Sequence, residues 1–350
     1  MIQLLFFLSS GLFLGWSLGA NDAANIFGTA VGTKMIKFRT AAIICSIFII
    51  LGAVISGAGP SHILGKLGTI NSLAGAFIVA LAAAFTVLWM TKAGLPVSTS
   101  QAIVGAIIGW NFFANVPTNI NSVTKIVGTW VFSPILSALF AFIFFHLIKK
   151  NLENSKIHLI VLDSLTRKAL IVVGAFGAYS LGANNIANVM GVFINSSPFK
   201  SVSIGSICQL SPTQQLFLLG SIAIAVGVFT YSKKVMMTVG RSIFKLSPIS
   251  ALVAVFSSSL VLFLFASQGL KDFLVSNGLP SFPLVPISSS QAVVGAVIGI
   301  SLAKGGRNVN FKTLGKISLG WIATPIASAI FAYIALFFMQ NVFLQEVFIK

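Results

Sequence analysis

The stretch SLGANDAAN at residues 17–25 is repeated as SLGANNIAN at residues 180–188. A second stretch, PVSTSQAIVG at residues 96–105, is repeated as PISSSQAVVG at residues 286–295. A third, sparser block follows each of these, with Trp130, Pro134 and Ser137 matched by Trp321, Pro325 and Ser328. Three matched blocks in the same order indicate that the chain is an internal duplication.

The composition places both copies in a membrane. Of the 350 residues, 57% are hydrophobic and only 8% are charged, whereas soluble domains carry about 25% charged residues. Apolar runs of about 20 residues, the length of one helical crossing, recur along the chain without the alternation typical of β-barrels. The sequence therefore predicts an all-α, multi-pass protein of the cell membrane. It excludes a secreted disulfide scaffold, because the chain has only two cysteines, Cys45 and Cys208.

The apolar runs form two sets of five, separated by a polar stretch. The predicted segments are 3–33, 40–59, 72–91, 95–113 and 122–148, then 168–195, 213–231, 248–268, 282–303 and 313–341. We expect a first repeat at 1–148, a cytoplasmic hinge loop at 149–167 and a second repeat at 168–350. Because five is odd, the second copy enters the membrane from the opposite side, so the repeats are predicted to be inverted.

The net charge of +17 is scattered between the apolar runs. If the N-terminus lies outside, most lysines and arginines fall in inside loops, as the positive-inside rule requires. This distribution indicates orientation in a lipid bilayer and no nucleic-acid partner. It does not distinguish whether the third and fourth elements of each half cross fully or dip in as a re-entrant hairpin.

Asp22 is the one carboxylate of five that falls inside a predicted membrane segment. A charge there costs about 3 kcal/mol, which makes it a candidate functional residue. Asn21 and Asn25 flank it, and glycines nearby predict a helix break that offers oxygen ligands to a cation. Asn184, Asn185 and Asn188 repeat the arrangement without the charge. The alternative for the asparagines is hydrogen bonding between helices.

Each copy also has a hydroxyl-rich cluster after a proline: Ser98, Thr99, Ser100 and Gln101, and then Ser288, Ser289, Ser290 and Gln291. The proline disfavours helix before the cluster, and its first serine suits a helix cap. The free N–H groups of a helix N-terminus bind tetrahedral oxyanions without a lysine or arginine. Two such ends, meeting from opposite sides, predict a site for one anion. The alternative is ordinary polar caps in interfacial loops.

These motifs resemble those of the inorganic phosphate transporter family of secondary carriers, over about residues 11–335. That family has a Gly-Ala-Asn-Asp-x-x-Asn motif and a Pro-Val-Ser-x-Thr-His-like hairpin tip in each half. This sequence departs from it at Asn185, where Asp is frequent, and at Gln101 and Gln291, where His is common.

The resemblance implies two inverted repeats with paired re-entrant hairpins and broken helices near the membrane midplane. The anion site would consist of both hydroxyl-rich clusters together with two asparagines: Ser98, Thr99, Ser100, Gln101, Ser288, Ser289, Ser290, Gln291, Asn21 and Asn184. The coupling cations would be bound by Asp22, Asn25, Asn185 and Asn188.

The predicted function is import of inorganic phosphate by cation symport. Sodium is favoured over protons because Asp22 is the only titratable group of the motifs; no other cofactor is expected. A sulfate carrier of the same family and a proton-coupled phosphate carrier remain alternatives. An anion channel is disfavoured by the paired glycine-containing helices, and an enzyme by histidines distant from the motifs. The sequence leaves open whether the chain forms a homodimer.

Overall fold

The structure is a computed structural model that describes residues 2–92, 97–153, 155, 157–204, 208–238, 246–306 and 311–349. The first half consists of α1 (Ile2–Gly32), α2 (Phe38–Ser56), α3 (Ala58–Leu67), α4 (Leu73–Lys92), α5 (Thr99–Ala114) and α6 (Ile120–Glu153). The second half consists of α7 (Leu159–Met190), a 3-10 turn (Gly191–Phe193), the antiparallel pair β1 (Val202–Ile204) and β2 (Cys208–Leu210), α8 (Pro212–Thr230), α9 (Ser232–Thr238), α10 (Pro248–Ala266), α11 (Gln268–Ser276), α12 (Ser289–Ala303) and α13 (Phe311–Asn341).

Seven helices of the described chain are long and apolar enough to cross a membrane: α1, α2, α4, α6, α8, α10 and α13. The protein is therefore an all-α, multi-pass membrane protein, as predicted. Each predicted apolar segment corresponds to one helix, whereas α3, α9, α11 and the β-hairpin were not predicted. The polar stretch 149–167 is largely helical, because α6 runs to Glu153 and α7 begins at Leu159.

The helix breaks predicted at the two asparagine motifs must be corrected, because α1 and α7 are continuous through them. The glycines of the motifs allow close packing instead. A Cβ on Gly19 would collide with the backbone carbonyl of Ile224 in α8, and one on Gly182 with that of Ile49 in α2. Glycine lets two helix backbones approach this closely within a membrane. The non-helical residues are instead 97 and 98, just before α5, and 277–288, between α11 and α12.

Packing between the halves is reciprocal. Helix α1 packs on α8, where Gly227 lies against the carbonyl of Trp16, and α7 packs on α2, where Gly52 lies against the carbonyl of Tyr179. The hairpin helices repeat the exchange, since α5 packs on α13 and α12 packs on α6. Each half therefore completes the other, which is compatible with inverted repeats.

Helices α4 and α5 form a hairpin whose two ends lie on one face of the molecule. Gly75, near the start of α4, lies beside the indole nitrogen of Trp110, near the end of α5. That Trp110 Nε1 donates to the carbonyl of Val347 at 3.0 Å. The chain therefore returns to the side from which it came, as it would in a re-entrant hairpin or in two full crossings.

The second hairpin also has its ends together, because Lys304 Nζ after α12 donates to Ser250 Oγ of α10 at 2.9 Å. Its first arm, α10, is followed by the short helix α11, and the carbonyl of Ala266 at the end of α10 lies against Gly59 of α3. After α11, the chain returns through residues 277–288 without helical structure. The helix predicted over 282–303 begins only at Ser289, because prolines at 280, 283 and 286 interrupt the preceding stretch.

The two asparagine motifs lie in the centre of this arrangement. Every residue of α7 from Ser180 to Met190 is buried, and in α1 the apolar Leu18, Ala23 and Ala24 are at most 2% exposed. The two hairpins meet at this buried centre.

Candidate functional site

The hairpins contact each other where α5 and α12 begin, through the residues just before each helix and those of its first turn. We call residues 97–101 the first tip and residues 286–291 the second tip; Pro96 lies outside the described residues. Ser100 Oγ donates to the carbonyl of Ile287 at 3.0 Å, and Ser290 Oγ donates to the carbonyl of Val97 at 3.1 Å. These residues occupy matching positions of the repeat, so the tips are joined by two equivalent hydrogen bonds.

Each tip begins its helix with a serine cap. Ser98 Oγ accepts from the backbone N–H of Gln101 at 3.3 Å, and Ser288 Oγ accepts from that of Gln291 at 3.2 Å. The capping function considered for these serines is therefore present. It also sets the N-termini of α5 and α12 close together, and the partial positive charges of both ends favour an anion there.

Asp22 belongs to α1, contacts the second tip and is 2% exposed. Its Oδ2 accepts from Ser289 Oγ at 2.8 Å and from Asn185 Nδ2 at 3.4 Å, while Oδ1 accepts from Asn21 Nδ2 at 3.2 Å. No lysine, arginine or histidine of the described residues forms an ion pair with this carboxylate. Only neutral donors surround it, which leaves its charge available to a cation.

The asparagines of α7 hold both tips. Asn184 bonds the backbone of Ile287 twice, with Nδ2 donating to the carbonyl at 2.8 Å and Oδ1 accepting from the N–H at 3.0 Å. Asn188 Nδ2 donates to Ser100 Oγ at 2.8 Å and to Asn185 Oδ1 at 3.1 Å. From α1, Asn25 Nδ2 donates to Ser289 Oγ at 3.3 Å. Both motifs therefore bond to the tips.

Four buried oxygens at this centre have no hydrogen-bond partner among the described residues: Thr99 Oγ1, Gln101 Oε1, Gln291 Oε1 and Asn188 Oδ1. Leaving a buried polar atom unpaired costs about 1–3 kcal/mol, so a ligand that pairs with these four oxygens would be stabilised here. Carbonyl oxygens accept a proton donor or coordinate a hard cation, and the Thr99 hydroxyl also donates to an anion. This donor set fits an anion and cations side by side.

The site is more accessible from α1 than from α7. Asn21, Asn25 and Ser290 are partly exposed, whereas Asn184, Asn185 and Asn188 are at most 1% exposed. The α1 motif is therefore the less enclosed of the two, and the α7 motif is surrounded by protein.

The structure brings the predicted residues into one cluster, in which most are linked by the bonds above. Thr99, Gln101 and Gln291 lie in the first turns of α5 and α12 without side-chain bonds. The sequence did not identify the backbone carbonyls of Val97 and Ile287 as bonding partners. The only sequence feature that could have pointed to these carbonyls is that an apolar residue precedes the capping serine of each tip.

Comparison with known proteins gives consistent results. The profile of the phosphate transporter family matches residues 18–271 and 273–349. A Thermococcus kodakarensis protein named "Putative phosphate permease" is 27% identical, covering 93% of this chain and 95% of that protein. The sulfate permease CysP of Bacillus subtilis is 30% identical, covering 92% of this chain and 84% of the permease.

A solved structure titled "The sodium-dependent phosphate transporter" superposes with a TM-score of 0.76 and 27% identity, covering 96% of this chain and 100% of the other. The family match spans most of the chain, including both asparagine motifs and both tips. On this evidence, the chain belongs to the phosphate transporter family and is a transport protein of the membrane.

Proposed function

We propose that the protein imports inorganic phosphate together with sodium ions. The observation that carries this proposal is the environment of Asp22, a buried carboxylate without a cationic partner among the described residues, bonded to the second tip at 2.8 Å through Ser289. It lies beside two helix N-termini that favour an anion. A site that combines both features needs bound cations to neutralise its ligand and its own carboxylate.

The anion is assigned to the space between the tips. There Thr99 and the N-terminal turns of α5 and α12 supply donors, and the Gln101 and Gln291 amides border the same turns. Hydrogenphosphate carries both lone pairs and a proton, so it can also donate to an unpaired amide oxygen such as Gln101 Oε1. The remaining tip residues, with Asn21 and Asn184, shape this space.

The sodium ions are assigned to the carboxylate and amide oxygens of the two motifs: Asp22, Asn25, Asn185 and Asn188. Sodium is a hard cation that prefers oxygen ligands. Divalent phosphate next to Asp22 would place three negative charges in a buried site, and no lysine or arginine of the described residues is bonded there. More than one sodium ion per phosphate is therefore expected.

Coupling follows from the bonds between motifs and tips. Ser289 belongs to the second tip but donates to Asp22 of α1, so a cation at Asp22 acts directly on the hairpin that contacts the anion. We propose that the repeats, 1–148 and 168–350, move relative to one another through these bonds. The site would then open alternately to the two sides of the membrane.

A sulfate carrier is the second candidate, because a sulfate permease is among the relatives. The chemistry of the acceptors distinguishes the two anions. Sulfate at neutral pH has no proton to donate, whereas hydrogenphosphate can donate its one proton to the free amide oxygen of Gln101 or of Gln291. Phosphate is favoured for this reason.

The experiment is uptake of labelled phosphate into proteoliposomes, with sodium and proton gradients imposed separately and sulfate as competitor. We expect sodium-driven accumulation of phosphate that a large excess of sulfate does not suppress. Strong sulfate uptake without phosphate uptake would overturn the substrate. Full activity in sodium-free buffer with an inward proton gradient, and no response to added sodium, would overturn the coupling ion.

A further inference from the structure

A polar cavity of about 340 Å³ lies between α3, the end of α7 and the start of α8. Ser61, His62 and Lys66 line it from α3, Asn195 from the turn after α7, and Thr213 from the first turn of α8. His62, Lys66 and Asn195 are exposed, so the cavity is open to solvent.

The chemistry of the cavity suits an oxyanion. Lys66 supplies a positive charge, and His62, Asn195 and Thr213 supply N–H or O–H donors. None of the residues that line it is a carboxylate, and Lys66 forms no ion pair within the described residues. The side chains of Asn195 and Thr213 likewise make no hydrogen bond there.

The cavity lies directly beyond the buried end of the transport site. Its wall includes Gly191, three residues after Asn188 on the same chain, a rise of about 4.5 Å in a helix. A smaller cavity of about 10 Å³ shares Gly191 and Asn195 and extends to Ile107 of α5, the helix that the first tip begins. Leu64 lines the smaller cavity, is 1% exposed and packs against Gly191.

We propose that this cavity is an outer entry site, in which the transported oxyanion binds through Lys66 before it passes Leu64 to the tips. The inference rests on the proposed function, because it takes the transported anion to be phosphate. The predicted orientation, with the N-terminus outside, places this cavity on the outer face. A single unpaired cation in an open cavity raises the local concentration of an anion. Lys66 is therefore expected to change the KM for phosphate more than the maximal rate of transport.

The first test compares Lys66→Gln with Lys125→Gln in oriented proteoliposomes. Lys125 is exposed near the start of α6, on the same predicted outer side, and does not line the cavity. We expect Lys66→Gln to raise the KM for phosphate uptake from outside about three- to tenfold at low ionic strength, with an unchanged maximal rate. Lys66→Arg and Lys125→Gln should remain at the wild-type KM, and added choline chloride should reduce the Lys66→Gln effect.

The direction of transport provides a second measurement. The KM for phosphate leaving preloaded vesicles should be the same in Lys66→Gln and wild type, because the anion then approaches from the other side. An unchanged uptake KM in Lys66→Gln, or an equal rise in both directions, would overturn the entry site. Absence of phosphate uptake by the wild-type protein would instead overturn the proposed function.

Direct occupancy is tested with Asn195→Cys in a Cys208→Ser background; Cys45 is fully buried. A sulfonate-bearing thiosulfonate reagent should label the introduced thiol from outside, and millimolar inorganic phosphate should slow the labelling several-fold only when Lys66 is present. Vesicles of zwitterionic lipid are compared with vesicles that contain anionic lipid. Protection by anionic lipid but not by phosphate would assign the cavity to a lipid headgroup and overturn the entry role.

Discussion

Helices α1 and α7 carry matching nine-residue motifs that differ at two positions, and their side chains bond differently to the two tips. Asn184 of α7 holds the backbone of Ile287 with two hydrogen bonds. Both Asn184 and its counterpart in α1, Asn21, donate to the residue that follows, Asn185 or Asp22, but Asn21 makes no bond to a tip within the described residues. The α7 motif is fully buried and fixes the second tip, whereas the α1 motif is charged and partly exposed. The two copies have therefore diverged: the α7 motif holds the second tip through the tip's backbone, and the α1 motif carries the carboxylate.

The hydroxyls opposite the two motifs show the same difference. Ser289 donates to Asp22 at 2.8 Å, while Thr99, at the matching position of the first tip, has a buried hydroxyl without a partner. The second motif has Asn185 where the first has Asp22. A hydroxyl opposite a carboxylate orients it, and an unpaired hydroxyl is free to bind the transported ligand.

The largest expected effect is that of Asp22→Asn. This substitution should lower sodium-driven phosphate uptake at least about a hundredfold, because it removes the one charge of the cation site, while insertion persists, since Asn is less costly in a membrane. Uptake per inserted protein is the measurement. Asp163→Asn, at an exposed carboxylate paired with Arg167 at 3.3 Å, is the matched control and should transport normally. Near-normal coupled uptake by Asp22→Asn would show that the carboxylate of the first motif has no special role in transport.

A second effect should be equal in the two halves. Gly19→Ala and Gly182→Ala should each destabilise the protein by about 1–3 kcal/mol, because the new methyl group overlaps a backbone carbonyl of the partner helix. Thermal unfolding in detergent should shift down by several degrees in both. Gly128→Ala is the control, since no atom of the described part of the chain lies within 4 Å of its Cβ position. A shift confined to one of the two motif glycines would show that the halves are not packed equivalently.

A third, smaller effect separates Ser289 from Thr99. Ser289→Ala should raise the sodium concentration for half-maximal uptake about tenfold, because Asp22 loses its shortest hydrogen bond, which is charge-assisted. Thr99→Val should instead raise the KM for phosphate several-fold and leave the sodium dependence unchanged. Uptake titrated against each ion separately makes the distinction. Identical changes in both variants would contradict the assignment of cation and anion to different hydroxyls.

The smallest effects concern the bonds between the tips. Ser100→Ala should reduce the maximal uptake rate about fivefold, because Ser100 both donates to Ile287 and accepts from Asn188. Ser290→Ala should reduce it only about twofold, since Ser290 is partly exposed and makes one bond. Initial rates at saturating sodium and phosphate measure both. A larger loss in Ser290→Ala would contradict the assignment of α7 as the helix whose asparagines hold the tips in place.

The sequence predicted the membrane class, the matched segments and the cluster of motif residues, because each left a repeated pattern in the chain. It did not predict α3, α9 or α11, which have ten residues or fewer and no matched motif. The expected helix break arose from interpreting Gly19 as a flexible position, whereas the residue that requires a glycine there, Ile224, is about 200 residues away. Backbone partners such as Ile287 were missed because a carbonyl has no residue-type signature.

The exchange of helices between the halves has a consequence for biosynthesis. Gly19 of α1 packs against Ile224 of α8, so the nascent chain inserts α1 long before its partner exists. At ribosomal speeds of about 5–20 residues per second, those roughly 200 residues take on the order of 10–40 s. During that interval the glycine face of α1 and its buried carboxylate have no permanent neighbour. We expect the insertion machinery, or a lipid, to shield Asp22 until α8 and the second tip arrive.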